Sequence, residues 1–306
     1  MNTSQHLPPR WSHVEHSSFH SAADVRWHVQ RLGAPDAADR VLLLHGTGAS
    51  THSFRGLMEA AADEFDVLAV DLPGHGFSSS LPPSRSDTHG VAAALGMLLE
   101  HLDFSPTILL GHSAGVAVAL RGILDKVLPA VPTISVNGAP VALGGFAGRW
   151  FAPFARVLAE RTLLARLIAR RAHNRRAVAA LLRATGTPYR FEDVTFYQHL
   201  MADPEHVGGA LRMMAAWDLP ALERDLSGVR SPVRLLVAPD DRTLPRDYLA
   251  RVLAALPHAT TRCLKAPGHL SHEIDSGPLI EEMRAFAAVR SRAEARPAPV
   301  LLAGVH

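Results

Sequence analysis

Short β-like runs recur along the chain at 25–30, 41–44, 67–70, 108–110, 134–136, 233–237 and 261–264, separated by stretches of helical spacing. Several, such as Leu42-Leu43-Leu44 and Ile108-Leu109-Leu110, are apolar at consecutive rather than alternate positions. A strand needs that pattern only when both faces of its sheet are covered, as in a parallel sheet packed between helices. Strands alternating with helices predict an α/β architecture of the doubly wound kind. Right-handed crossovers then gather the loops after the strand carboxyl ends on one edge, where α/β sites form.

The alternation stops between 139 and 217. Helical patterns fill 151–171, 175–184 and 204–214, with no convincing strand among them. This predicts a helical cap inserted at 139–217 between two core segments, 1–138 and 218–289, followed by a flexible tail at 290–306. In the first cap helix Phe154, Val157, Leu158, Leu164, Leu167 and Ile168 fall toward one side, with Arg156, Arg166 and Arg170 on the others.

Composition adds limits. The chain has 306 residues, 47% apolar and 20% charged, with a formal charge of +2. That excludes wholesale disorder, collagen-like repeats and the overall basicity of a nucleic-acid binder. The near-neutral total hides an asymmetry: residues 149–190 carry ten arginines against one acid, Glu160. The single cysteine, Cys263, leaves no intramolecular disulfide and no cysteine metal cluster, and fits a reducing compartment. The amino-terminal stretch lacks the apolar core of a secretory signal, and no run approaches the roughly 18 apolar residues of a spanning helix. A cytoplasmic location follows as the expectation.

The candidate chemistry begins at Gly111-His112-Ser113-Ala114-Gly115, an apolar strand running into G-x-S-x-G and then a small-residue helix. A sharp strand-to-helix turn pushes a serine hydroxyl out at the sheet edge, and glycines remove side chains that would collide there. Ser113 is the candidate nucleophile, and the Ala114 amide one oxyanion donor. The bland alternative is a glycine-rich turn with an incidental serine. The run 41–44 ends in His45-Gly46-Thr47-Gly48, which offers the Thr47 amide as second donor, with His45 holding the loop. Asp71, opening Asp71-Leu72-Pro73-Gly74, reads as a turn-fixing residue rather than a catalytic one.

A serine needs a base, and an imidazole base needs a carboxylate to set its tautomer. The chain holds 18 histidines, so position must choose. The run 233–237 leads into Asp240-Asp241, and 261–264 into Gly268-His269. Both loops open on the edge that carries Ser113. Asp241 and His269 are the candidates, with Asp240 as rival acid, His272 as rival base and Glu273 as a brace. No H-E-x-x-H spacing or converging ligand set points to a metal, and serine chemistry calls for no cofactor.

With these loops in place, the chain resembles the α/β-hydrolase superfamily across about 25–287. The resemblance implies a mostly parallel eight-stranded sheet with helices on both faces, a cap, and a serine hydrolase with a Ser113–Asp241–His269 triad. A narrower resemblance rests on 42–53, 71–77, 111–115, Ala184-Thr185-Gly186-Thr187 and 213–219. These resemble the BchO-type accessory proteins of magnesium chelatase in bacteriochlorophyll synthesis. That implies a pathway role near magnesium insertion into protoporphyrin, with chelatase subunits as partners, more securely than it implies a reaction.

The expected partner is a small-molecule substrate or a porphyrin ligand, and no nucleic acid. A porphyrin is an apolar disc bearing propionates, which an apolar cleft rimmed by arginines would suit. Trp150, Phe151, Met213, Met214 and Trp217 are candidate substrate-binding residues and equally good core residues. A basic amphipathic cap could also rest on an anionic membrane surface. Against the hydrolase stand a non-catalytic porphyrin carrier or chelatase helper, and a general carboxylesterase or carbon–carbon bond hydrolase unrelated to pigment.

Overall fold

A computed structural model describes residues 7–142, 162–189 and 193–294. Its strands are β1 (Ser17–Ala22), β2 (Val25–Leu32), β3 (Arg40–Leu44), β4 (Asp66–Val70), β5 (Ile108–His112), β6 (Thr133–Val136), β7 (Val233–Val237) and β8 (Thr260–Cys263). They form one sheet in the order β1-β2-β4-β3-β5-β6-β7-β8. The first two strands run as an antiparallel hairpin, β2 pairs antiparallel with β4, and the remaining pairings are parallel. This is the α/β-hydrolase fold.

The seven β-like runs all become strands. The eighth, β1, is Ser-Ser-Phe-His-Ser-Ala, an edge strand with no buried residue, so it carries no apolar signal. Pairing with β2 and the tight turn at Ala23 and Asp24, both at positive φ, place it.

Side-chain alternation sorts the sheet into two cores. Leu42, Leu44, Leu68, Val70 and Leu109 face helices α2 (Thr88–His101) and α3 (Ala114–Leu124). Val41, Leu43, Val67, Ala69 and Leu110 face α1 (Arg55–Ala61) and the final helix. Consecutive strand residues are therefore buried on opposite faces, which is why Leu42-Leu43-Leu44 and Ile108-Leu109-Leu110 lack polar interruptions.

Between β6 and β7 the described chain is helical: α4 (Thr162–Ala172), α5 (Arg175–Ala184), α6 (Val194–Met201) and α7 (Pro204–Ala216). α6 has no counterpart among the expected cap helices. The first half of the predicted helix at 151–171 lies outside the described residues, as do Trp150 and Phe151. Its second half packs differently from the expectation. Ala165, Ala169 and Ala172 are buried, while Leu163 and Leu167 are 65% and 53% exposed. α4 meets α7 at Gly208, close beside Ala165, so small side chains make the contact. The cap has its own core of Val178, Ala179, Leu182, Val194 and Tyr197, joined by Ala49 and Leu270 from the sheet edge.

α8 (Leu219–Asp225) precedes β7, and α9 (Tyr248–Ala255), α10 (Ser271–Ile274) and α11 (Gly277–Glu294) follow it. α11 corrects the expected tail at 290–306. The helix continues through Arg290, whose guanidinium pairs with Asp39 at 2.9 Å. Residues 295–306 lie outside the described part.

At the carboxyl end of β4, buried Asp71 organises the edge. Its Oδ2 accepts from His28 Nδ1 at 2.7 Å and from the Phe77 amide at 2.9 Å, and its Oδ1 from the Thr51 amide at 2.7 Å. Burial alone would raise its pKa; the His28 ring and the Phe77 amide outweigh that and bring the carboxyl down to about 2. Asp71→Ala is expected to destabilise the protein by roughly 3–5 kcal/mol, since it orphans three buried donors. Urea unfolding followed by circular dichroism measures this. Because the folded pKa is depressed, the stabilisation is complete above about pH 4 and disappears as pH falls toward 2.

Candidate active site

Ser113 sits between β5 and α3 with φ 50° and ψ −116°, a conformation an L residue adopts only under constraint. Neighbouring backbone imposes it. The Ser113 amide donates to Val136 O at 3.1 Å, and its carbonyl accepts from the Ala139 amide at 2.9 Å. A Cβ on Gly115 would lie 2.1 Å from Leu44 O, so the helix can start here only with glycine at that position.

The His45–Gly48 loop leaves β3 beside the elbow, and a Cβ on Gly46 would lie 3.0 Å from Ser113 Cβ. His45 is buried and holds this loop: Nδ1 donates to Gly46 O at 2.8 Å, and Nε2 accepts from the Leu72 amide at 2.9 Å. Burial lowers its pKa, so it stays neutral. The Thr47 and Ala114 amides have no acceptor among the described residues. The Thr47 hydroxyl donates to Met213 Sδ at 3.3 Å, which brings α7 over the loop.

Asp241 and His269 come together. His269 Nδ1 lies 2.8 Å from Asp241 Oδ2, with both side chains largely buried. Asp241 Oδ1 accepts the amides of Thr243 and Leu244, which fixes the carboxylate. With Nδ1–H donated to Asp241, Nε2 is left as the acceptor. There is no direct hydrogen bond among the described residues between the Ser113 hydroxyl and this ring. Rival Asp240 is exposed at positive φ. Rival His272 is buried, with Nε2 bonded to Ser53 Oγ at 2.8 Å.

The remaining candidates divide. Met213 is buried against Thr47; Met214 is 37% exposed and faces solvent instead. Trp217 is partly buried and packs on the larger core cluster.

Two supports escape a linear reading. Asn137, just after β6, gives its Nδ2 to His269 O at 3.0 Å and accepts the Ala238 amide on Oδ1 at 2.9 Å. It ties the base loop to the acid strand; its signal is an Asn-Gly turn at a strand end. His112, inside the serine motif, contacts His269 O through Nε2 at 3.0 Å and packs its ring 4.8 Å from that of His269. Burial pushes its pKa far down, so this Nε2 acts as a neutral N–H donor. Glu273 is a brace as expected, and its buried carboxylate accepts from four groups. These are Ser53 Oγ at 2.8 Å, Arg55 Nη1 at 3.1 Å, and the Tyr189 and Tyr197 hydroxyls at 2.6 Å each. Two donors come from the core and two from the cap.

The residues at 41–289 match the profile described as the alpha/beta hydrolase family. The chain belongs to that family. It is 37% identical over 268 residues to the magnesium-chelatase 30 kDa subunit of Rhodobacter capsulatus, covering 88% of this chain and 93% of that protein, and so shares its BchO-type group. A pimeloyl-[acyl-carrier protein] methyl ester esterase of Neisseria meningitidis is 40% identical over 96 residues, 31% of this chain and 35% of the esterase. The epoxide hydrolase CorEH superposes with a TM-score of 0.71 at 18% identity, over 90% of this chain and 99% of CorEH. The wild-type Cfl2 structure from Burkholderia cenocepacia gives 0.71 at 24%, over 88% and 95%. These two share the fold of this hydrolase-family chain.

Beside α7 lies a cleft of about 560 Å³, whose walls include Arg26, Arg166 and Arg212, with Ser78, Ser79 and Ser80. None of the three arginines pairs with a carboxylate within 4 Å among the described residues, although Asp203 and Glu205 share the lining. Arg212 donates to Ser80 Oγ at 2.6 Å, and Arg26 stacks on Phe19 at 3.7 Å. None of the lining residues belongs to the Ser113, Asp241 or His269 loops. Among the described residues, no helix is long and apolar enough to cross a membrane, and no group of side chains has the makings of a metal site.

Burial lowers the pKa of His52 and His272 to about 3 and of His206 to about 4. Such a histidine takes up its proton on unfolding. Stability should therefore fall as pH drops below about 6.5, by about 1.4 kcal/mol per pH unit for each. Denaturant titrations at pH 7.5 and pH 5 test this, with lower stability expected at pH 5. Equal stability at both would contradict neutral burial.

Proposed function

We propose that the chain is a serine hydrolase serving as an accessory factor at the magnesium-chelatase step of bacteriochlorophyll synthesis, acting on an ester borne by a porphyrin-like substrate. The 2.8 Å bond between His269 and Asp241, on the sheet edge that carries the strained Ser113, supports the chemistry most directly. Ser113 Oγ attacks the acyl carbon while His269 Nε2 takes its proton, and Asp241 stabilises the imidazolium. The Thr47 and Ala114 amides receive the oxyanion, each contributing about 3 kcal/mol to the barrier reduction. His269 returns the proton to the leaving oxygen. A water, deprotonated by the same ring, then releases the acid and restores Ser113. The hydroxyl must first come within reach of Nε2, a closure that unliganded sites commonly leave to substrate.

The pathway assignment draws on the similarity to the magnesium-chelatase 30 kDa subunit, over most of both chains. It carries with it chelatase subunits as partners. The exposed Leu163 and Leu167, interleaved with exposed Arg166 and Arg170, support a cytoplasmic protein that rests peripherally on an anionic bilayer. A second reading, a porphyrin carrier without catalysis, has one observation in its favour. The arginine-lined cleft suits a carboxylate-bearing ligand yet lies apart from the Ser113 loop.

Labelling by a serine-directed fluorophosphonate should modify Ser113 in the folded protein and be lost in Ser113→Ala. Complementation of a deletion strain separates the readings. Ser113→Ala should fail to restore pigment; wild-type pigment levels from that variant would remove hydrolysis from the physiological role and leave the carrier.

A further inference from the structure

The segment Thr185-Gly186-Thr187 leaves the cap at the end of α5 and enters the space between the Asp241 and His269 loops. Its hydrogen bonds go to both. The Arg242 and His269 amides each donate to Thr185 O at 3.2 Å, so one carbonyl joins the residue after the acid to the base itself. The Leu270 amide donates to Thr187 Oγ1 at 3.0 Å. The Thr185 hydroxyl bonds Leu182 O at 2.6 Å and lies 3.0 Å from the Thr187 hydroxyl, which ties the segment back to α5.

The fit leaves no space for adjustment. Gly186 has φ +87°, and a Cβ there would stand 1.9 Å from Asp240 O. Gly268, at φ +84°, faces the segment from the other side, and a Cβ on it would stand 2.3 Å from the Thr187 amide. The Thr187 side chain is only 1% exposed. The His269 loop thus has the Asn137 and His112 contacts on its sheet side and this cap segment on the other.

We propose that Thr185-Gly186-Thr187 is a positioning segment for the Asp241–His269 pair, so that the base is aligned while the cap is docked and loses alignment when the cap lifts. This rests on the serine-hydrolase reading for its catalytic consequence; the mechanical coupling stands on the hydrogen bonds alone. Both loop amides lose their shared acceptor if the Thr185 carbonyl moves. His269 is buried, and a buried amide without an acceptor is unfavourable, so the base loop follows the cap. A displacement of about 1 Å in a base is enough to cost roughly a hundredfold in rate. Glu273 adds to the coupling, since Tyr189 and Tyr197 of the cap bond the carboxylate four residues beyond His269.

The test uses the full chain with Thr187→Val, which keeps shape and removes the hydroxyl, and Thr187→Ser, which keeps the hydroxyl. The first readout is the rate of Ser113 modification by the fluorophosphonate. Thr187→Val should slow it by roughly ten- to a hundredfold, and Thr187→Ser by no more than about threefold. The second is the low-field proton resonance of the His269–Asp241 bond, which should weaken in Thr187→Val and persist in Thr187→Ser. A folded Thr187→Val with wild-type labelling and an unchanged resonance overturns the proposal. Amide exchange in the wild type keeps it testable should that variant not fold. Peptides covering 185–189 and 266–270 should gain deuterium together. Protection of 266–270 at the level of the central sheet, with 185–189 exchanging freely, also overturns it. Absence of labelling in the wild type, with joint exchange and the resonance intact, would sink the hydrolase reading while sustaining the coupling.

Discussion

Burial of both faces of the central sheet is the constraint from which the rest follows. Leu42, Leu43 and Leu44 are fully buried, yet consecutive residues meet different helices. An unsatisfied polar side chain on either face of such a sheet is costly. Polar chemistry is displaced to the carboxyl ends of the strands, where β3, β4, β5, β6, β7 and β8 release His45, Asp71, Ser113, Asn137, Asp241 and His269. The candidate site is a consequence of how the core is packed.

That edge is itself buried beneath the cap, so its polar groups have to satisfy one another. Asp71 does so with a histidine and two amides, and Glu273 with a serine, an arginine and two tyrosines. Several histidines are kept neutral by burial and serve as hydrogen-bonding spacers. Removing a member from such a network strands its partner in a low-dielectric interior, which makes the arrangement rigid. Rigidity matters to the proposed serine–histidine relay, which tolerates little displacement.

Membership of the alpha/beta hydrolase family, and the long match to the magnesium-chelatase 30 kDa subunit, agree with the motifs read along the chain. The solved structures that superpose at low identity share the architecture, and architecture alone does not choose a reaction. The helical segment between β6 and β7 is added to that architecture. There the alanine-lined contact of α4 with α7 turns two leucines outward and leaves three arginines around one cleft.

The chain by itself determined the sheet, the cap's place in the order, and the residues offered at each strand end. Apolar runs and G-x-S-x-G are local signals, written in consecutive residues. β1 is silent because an exposed edge strand needs no apolar residue, and helical spacing, which groups Leu167 with Leu164 and Ile168, cannot say which stripe meets a neighbour. Tertiary structure decided what depends on distant residues meeting. It decided that Asp241 rather than Asp240 reaches His269, that Asn137 and His112 hold the base loop, and that Thr185-Gly186-Thr187 joins acid and base. A hydrogen bond between two loops leaves no periodic trace in sequence, since a single donor and a single acceptor suffice to make it.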